Sequence, residues 1–178
     1  MCTLDEIILF RQTKGKKKLI LDTNVLLLLF IGMNDISSLS KYGCTQKYTE
    51  DDYRLLLKIL GFFESEIVIT PHTIAEFSNF FKRDIKNPKL HHYMVMVMDK
   101  LKNYKEEYIS LKELLKIEVK ALVSFGFPDM SIIEAAIKID AVILTDEVNL
   151  CDHANLKRIP NIRFSALRAA NVLAISSR

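Results

Sequence analysis

The chain has 178 residues, 49% of them apolar and 26% charged, with a formal net charge of +3. That length predicts a single domain burying roughly 70% of its unfolded surface, and the balance is that of an ordinary soluble globular protein. A surplus of three positive charges is too small to argue for nucleic acid by itself.

The distribution of charge carries more. Arg11, Lys14, Lys16, Lys17 and Lys18 form an acid-free basic run, and Lys82, Arg83, Lys86 and Lys89 form a second set. Each reads either as solvated surface or as a patch facing an anion or RNA. Cys2, Cys44 and Cys151 have no paired spacing, which predicts reduced thiols and neither disulfides nor a zinc site. Ile7 to Phe10 is too short for a signal peptide and Val25 to Ile31 far too short for a membrane span. The expectation is a soluble, cytoplasmic protein.

In chain order, residues 1–16 read as a lead-in, with Leu4 to Phe10 a helical turn or an edge strand. Lys18 to Leu21 is a short apolar run ended by Asp22, Thr23 and Asn24, the pattern of a strand buried on both faces. A first helix is predicted over Val25 to Ile31. Gly32 to Tyr48 is poor in apolar residues and reads as an exposed loop. Thr49 and Asp52 have capping-box spacing, and Tyr53, Leu56, Leu57, Leu60 and Phe63 form a helical stripe behind them. Glu66 to Thr70 is β-branched and predicts the second strand. Pro71 then suits a first helical position, opening a helix over His72 to Lys82 with Ile74, Phe77, Phe80 and Phe81 inward.

Residues Lys89 to Phe125 contain neither Gly nor Pro. A seam from Leu90 and Met94 through Tyr104 to Leu111 and Leu115 predicts one or two long helices, its methionines and tyrosines serving as core or as a partner face. Gly126 and Pro128 punctuate, and a helix opens at Asp129. Ala141 to Thr145 is the third strand, followed by Asp146, Glu147 and a helix to about Lys157. A last strand lies within Ile159 to Phe164, and a closing helix over Ser165 to Ile175. This alternation predicts an α/β fold with a mainly parallel sheet of four to five strands covered on both faces.

The acids follow from that topology. Asp22 ends the first strand, Asp146 and Glu147 end the third, Glu76 lies in the helix after the second, and Asp129 opens the helix before the third. All fall on the carboxyl-end side of the sheet, where open α/β folds keep their ligand crevice. Alone, each has a plainer role: Asp129 as a helix cap, Glu76 as solvated surface, Asp146 or Glu147 as a helix-dipole partner. Together they would repel strongly without a cation, and Mg²⁺ or Mn²⁺ prefers such oxygen ligands. Such ions activate water and stabilise displacement at phosphorus.

The motifs also resemble those of a known family. Leu19-Ile20-Leu21-Asp22-Thr23-Asn24-Val25-Leu26, Thr70-Pro71-His72-Thr73-Ile74-Ala75-Glu76, Pro128-Asp129-Met130-Ser131 and Val142-Ile143-Leu144-Thr145-Asp146-Glu147 are similar, in order, to the four motifs of PIN domains. The resemblance runs from about Lys17 to Leu167. It implies a three-layer α/β/α sandwich and Mg²⁺- or Mn²⁺-dependent cleavage of RNA, as a toxin of a toxin–antitoxin pair or as an RNA-processing nuclease. By position, Asp22, Glu76 and Asp129 are the implied metal-binding acids, with Thr23, Asn24 and Thr145 orienting ligands or water. The fourth acid is Asp146 or Glu147. The implied partners are RNA, an antitoxin or other protein, and a second copy of the chain.

The long stretch over Lys89 to Phe125 exceeds what the smallest toxin-type members carry. No His-x₃-His pair occurs among His72, His91, His92 and His153, so histidine is not the expected ligand. The alternative of another class is a PIN-like module that binds RNA or protein without catalysis. A haloacid-dehalogenase phosphatase would need a second Asp where Asn24 stands, and a receiver domain would need a mid-chain phosphoacceptor.

Overall fold

Leu19, Ile20 and Leu21 have no solvent exposure, and an apolar run of this kind has no polar side to turn to water. They form β1 (Leu19–Leu21), the middle strand of a parallel sheet, in a computed structural model that describes residues 18–63, 66–85 and 89–176. β1 pairs with β2 (Ile67–Ile69) on one side and with β4 (Val142–Thr145) on the other. β3 (Lys105–Glu106) and β5 (Asn161–Arg163) close the edges, giving the order β3-β2-β1-β4-β5 among the described residues.

Parallel strands need crossovers, and the helices supply them on both faces. Because side chains alternate along a strand, the sheet feeds two separate cores. Leu19, Leu21, Ile67, Ile69, Val142 and Leu144 point to one face. There they meet α1 (Thr23–Asn34), α2 (Glu50–Phe63), α3 (Pro71–Asp84), α4 (Lys89–Leu101) and the start of α8 (Phe164–Ser176). Ile20, Val68 and Ile143 point to the other face, against α5 (Leu111–Leu114), α6 (Val119–Ile139) and α7 (Val148–Leu156). The architecture is the expected three-layer α/β/α sandwich.

Local signals behave as their chemistry requires. Thr49 N–H donates to Asp52 Oδ2 at 2.8 Å and Asp52 N–H donates to Thr49 Oγ1 at 3.2 Å, closing the capping box before α2. Pro71 is the first residue of α3, and the Thr70 hydroxyl accepts from Thr73 N–H. Leu57, expected inward on α2, is instead exposed, while Leu55 and Ile59 take the buried places.

Two expectations need correction. The helical seam from Lys89 stops at Leu101, and Lys105 and Glu106 become the edge strand β3. Both of those side chains are exposed, so no apolar alternation marked them, and Leu111 and Leu115 turn outward. The stretch from Gly32 to Tyr48 is not an exposed loop. α1 runs on to Asn34, a 3₁₀ helix covers Ile36–Lys41, and Ser38, Leu39, Thr45 and Tyr48 are buried. Its polar groups bond internally, Asp35 accepting from Ser37 and Ser38 and Thr45 Oγ1 donating to Leu39 O. The helix expected at Asp129 is present: α6 consists of two helical segments joined at a kink, and Asp129 lies near the start of the second. The kink is at Gly126, whose φ of 77° suits glycine.

Residues 11–17 of the first basic run and Lys86 of the second lie outside the described residues. Lys18 sits at the amino end of β1, donating to Ile139 O at 3.4 Å, on the opposite edge from Asp22. Cys151 is buried, and burial pushes its thiol up to about 11. Among the described residues, no helix is long and apolar enough to cross a membrane.

Two helical glycines should respond oppositely to alanine. A Cβ on Gly32 of α1 would stand 2.3 Å from Cδ2 of the buried Tyr53 ring, so α1 and α2 approach closely only because it is absent. Gly32→Ala should destabilise by about 1–3 kcal/mol, the usual range for overpacking. A Cβ on Gly61 of α2 meets nothing within 4 Å, so Gly61→Ala should stabilise by up to about 1 kcal/mol through helix propensity. Urea melts of both variants check the pair.

Candidate active site

The register of β1 and β4 sets the centre. Leu21 lies opposite Leu144, so the next residues along each strand, Asp22 and Thr145, stand side by side. Asp22 N–H donates to Leu144 O at 3.1 Å, and the buried Thr145 hydroxyl donates to Asp22 Oδ2 at 2.8 Å. The same hydroxyl accepts from Glu147 N–H at 3.0 Å, which fixes where Glu147 leaves the strand. Asn24 Nδ2, in the first turn of α1, donates to Glu147 Oε1 at 3.1 Å. Thr23 Oγ1 donates to Glu76 Oε2 at 2.5 Å, tying α1 to α3.

Asp129 is brought in by the helix break. Ser131 Oγ donates to Pro128 O at 2.7 Å and shares a 2.7 Å hydrogen bond with Thr70 at the end of β2. This buried hydroxyl chain seats the turn containing Asp129 on the same sheet edge as Asp22.

The electrostatics couple all four carboxylates. Asp22 is 2% exposed, and its pKa is raised from 3.8 to about 7. Burial is the main cause; the charges of Glu147 and Glu76 add to it, while the Thr145 hydroxyl and Thr23 N–H pull the other way. Asp129 is pushed up to about 8, again chiefly by burial and then by the charges of Asp22, Glu147 and Glu76. The residues Asp22, Glu76, Asp129 and Glu147 therefore share one site of excess negative potential.

That donor set is all oxygen and mutually repelling, which fits a hard divalent cation such as Mg²⁺ or Mn²⁺. Among the described residues, no three His, Cys, Asp or Glu side chains converge closely enough to enclose an ion as they stand. Thr23, Asn24 and Thr145 hold Glu76, Glu147 and Asp22 in separate hydrogen bonds.

Asp146, expected beside Glu147 in this set, belongs to a different cluster. Its Oδ2 accepts from Tyr48 OH at 2.9 Å and pairs with Lys47 Nζ at 2.7 Å, with Arg168 NH1 at 3.9 Å. Its Oδ1 is buried without a hydrogen-bond partner among the described residues. Arg168 also pairs with Asp52 at 2.9 Å and donates to Lys47 O at 2.7 Å. The Lys47 and Arg168 cations each stand over the Tyr48 ring, 5.0 and 4.9 Å from its centroid. Burial and the Asp146 charge hold its phenol well above the usual range.

Lys47, Tyr48 and Arg168 carried no signal in the sequence. They lie in a stretch read as loop and in the last helix, and nothing local marks them as partners of a strand-end acid. His91 and His92 are exposed on α4, while His153 stacks near Phe125 at 4.8 Å. No family model, curated protein or solved structure matches this chain in comparison with known proteins.

The raised carboxyls make stability depend on pH. Asp22 and Asp129 keep their protons to a higher pH folded than unfolded, so between about pH 4 and 8 the folded chain binds more protons. Their contribution is complete below the unfolded value of 3.8 and lost as pH rises through about 7 to 8. In EDTA, Tm should therefore fall across that window. Asp22→Asn and Asp129→Asn should each flatten the fall, as differential scanning fluorimetry at several pH values would show.

Proposed function

We propose that this chain is a Mg²⁺- or Mn²⁺-dependent endoribonuclease that hydrolyses RNA phosphodiester bonds at the carboxyl end of its sheet. The observation that carries this is the shared electrostatic burden of Asp22 and Asp129. Asp22 is buried and Asp129 half-buried, they come from different elements, and each is raised further by Glu76 and Glu147. A fold has little reason to bury repelling acids together unless a cation or its ligand relieves them. The ordered resemblance to the PIN-domain motifs supports the same chemistry.

In this reading Asp22, Glu76, Asp129 and Glu147 hold the cation. When bound, the ion would lower the pKa of its water and offset charge on the phosphate under attack. Thr145 orients Asp22, Asn24 orients Glu147, and Thr23 orients Glu76, each by donating a hydrogen bond. Asp146 acts beside the site, holding Lys47 and Tyr48. A non-catalytic RNA- or protein-binding module remains the second reading. It is favoured by the separate hydrogen bonds that keep the acids from closing on one point.

The test is cleavage of labelled RNA and single-stranded DNA in Mn²⁺ against EDTA. Cleavage should vanish in EDTA. Asp22→Asn and Glu147→Gln should each lose about 100-fold or more, the scale of a lost electrostatic stabiliser. Asp146→Asn should keep most of its kcat and lose in KM. Full activity in EDTA, or in Asp22→Asn, would overturn the metal mechanism. Equal loss in Asp146→Asn and Glu147→Gln would return Asp146 to the ligand set. Absence of both cleavage and a Mn²⁺-dependent rise in Tm would leave the binding module.

A further inference from the structure

Beside the acids, a groove of about 320 Å³ opens between α1, α3 and the segment after the 3₁₀ helix. Its wall at the acid end is Asn24, which holds Glu147, and Lys47, which is held by Asp146. Its far end is Phe80 and Arg83, with the Arg83 guanidinium over the Phe80 ring at 4.7 Å. The charged residues along it, Lys47 and Arg83, are both cations. A second cavity, between α5, α6 and α7, differs in mixing Lys116, Lys138 and Lys157 with Glu113, Glu118 and Glu134.

The helix geometry joins groove and acids into one track. Glu76, Phe80 and Arg83 are spaced i, i+4, i+7, so α3 carries acid, aromatic ring and cation along one face. Seven residues of helix span about 10 Å, which puts Arg83 within reach of nucleotides flanking a phosphate at Glu76. The volume is at the small end of ligand sites and admits one unpaired base with its sugar, not a duplex.

We propose that this groove is a subsite for single-stranded nucleic acid beside the cleaved phosphate. Lys47 and Arg83 take backbone phosphates, and the stacked Arg83–Phe80 pair presents a flat face to a base. Aromatic rings and guanidinium planes are the usual platforms for unpaired bases, and they accept any base because every base has a π face. Asp146 is then a positioning residue. Its carboxylate holds Lys47 at 2.7 Å and Tyr48 at 2.9 Å, fixing the groove wall without touching the strand. The assignment rests on the hydrolase proposed above only in that the groove leads to its acids.

Binding measured apart from cleavage separates the two. In an Asp22→Asn background with EDTA, fluorescence anisotropy would follow a labelled single-stranded RNA, the DNA of the same sequence and the RNA duplex. Arg83→Ala and Lys47→Ala should each weaken single-strand binding about tenfold, and Phe80→Leu less. Each lost cation should also lower the salt slope by about one. Lys157→Ala, in the mixed cavity, should change affinity less than about twofold, and the duplex should bind more weakly than either single strand. Tighter binding of RNA than DNA would add a contact to the 2′-hydroxyl, while equal binding would keep recognition to phosphate and base; either supports the groove. Unaltered Tm in Arg83→Ala and Phe80→Leu keeps the result independent of folding. If these variants bind like their parent, or Lys157→Ala is as damaging, the subsite is overturned whatever the wild type cleaves. If they lose binding while the wild type shows no Mn²⁺-dependent cleavage, the hydrolase falls and the groove stands.

Discussion

The mutual repulsion of Asp22, Glu76, Asp129 and Glu147 is what the rest of the site has to contain. Asp22 is buried, Glu76 and Asp129 are half-buried and Glu147 is exposed. Like charges sharing one site stay there only where hydrogen bonds and the scaffold resist their separation. Here the scaffold is the parallel pairing of β1 and β4, buried on both faces. Its register sets Asp22 against Thr145, and the Thr145 hydroxyl serves two acids at once, donating to Asp22 and accepting from the Glu147 backbone. Shifting that pairing by one residue would turn every side chain of β1 to the opposite core.

Adjacent residues leave the end of β4 in different directions. Asp146 is buried against Lys47, Tyr48 and Arg168, while Glu147 is exposed toward Asn24. The first is largely neutralised by cations; the second adds to the potential that raises Asp22 and Asp129. Two neighbouring acids thus divide the labour, one bracing the wall of a cationic groove and one joining the carboxylate centre. Removing a cation from the Asp146 cluster would leave a buried charge uncompensated, which is more damaging than loss of a surface pair.

The helices supply approach as well as cover. α3 starts at Pro71 with Thr70 as its cap, and Thr70 also reaches Ser131 of α6, so one hydroxyl chain positions both Glu76 and Asp129. The break at Gly126 lets α6 turn onto the sheet at the point where Asp129 is needed. On the far flank of α3, Phe77 and Phe81 fill the core, and Phe80 packs partly against it while lining the groove with Arg83. The core-facing and groove-lining positions of that helix are interleaved at helical spacing.

The sequence by itself determined the parts whose signal is local. Three apolar residues followed by Asp22 read as a strand sunk in a sheet and ended at its carboxyl edge, which is where β1 lies. The same holds for Val142 to Thr145, for the Thr49–Asp52 capping box and for Pro71 at the head of α3. The place of the edge strand β3 was not legible, because Lys105 and Glu106 are both exposed and any polar dipeptide looks the same. The stretch after α1 looked like loop because its composition is polar, yet its hydroxyls bond inward and bury Tyr48. The division between Asp146 and Glu147 was decided by tertiary structure alone. It depends on Lys47 and Tyr48, nearly a hundred residues earlier, and on Arg168 in the last helix, and no pattern around residue 146 encodes contacts that exist only once those segments meet.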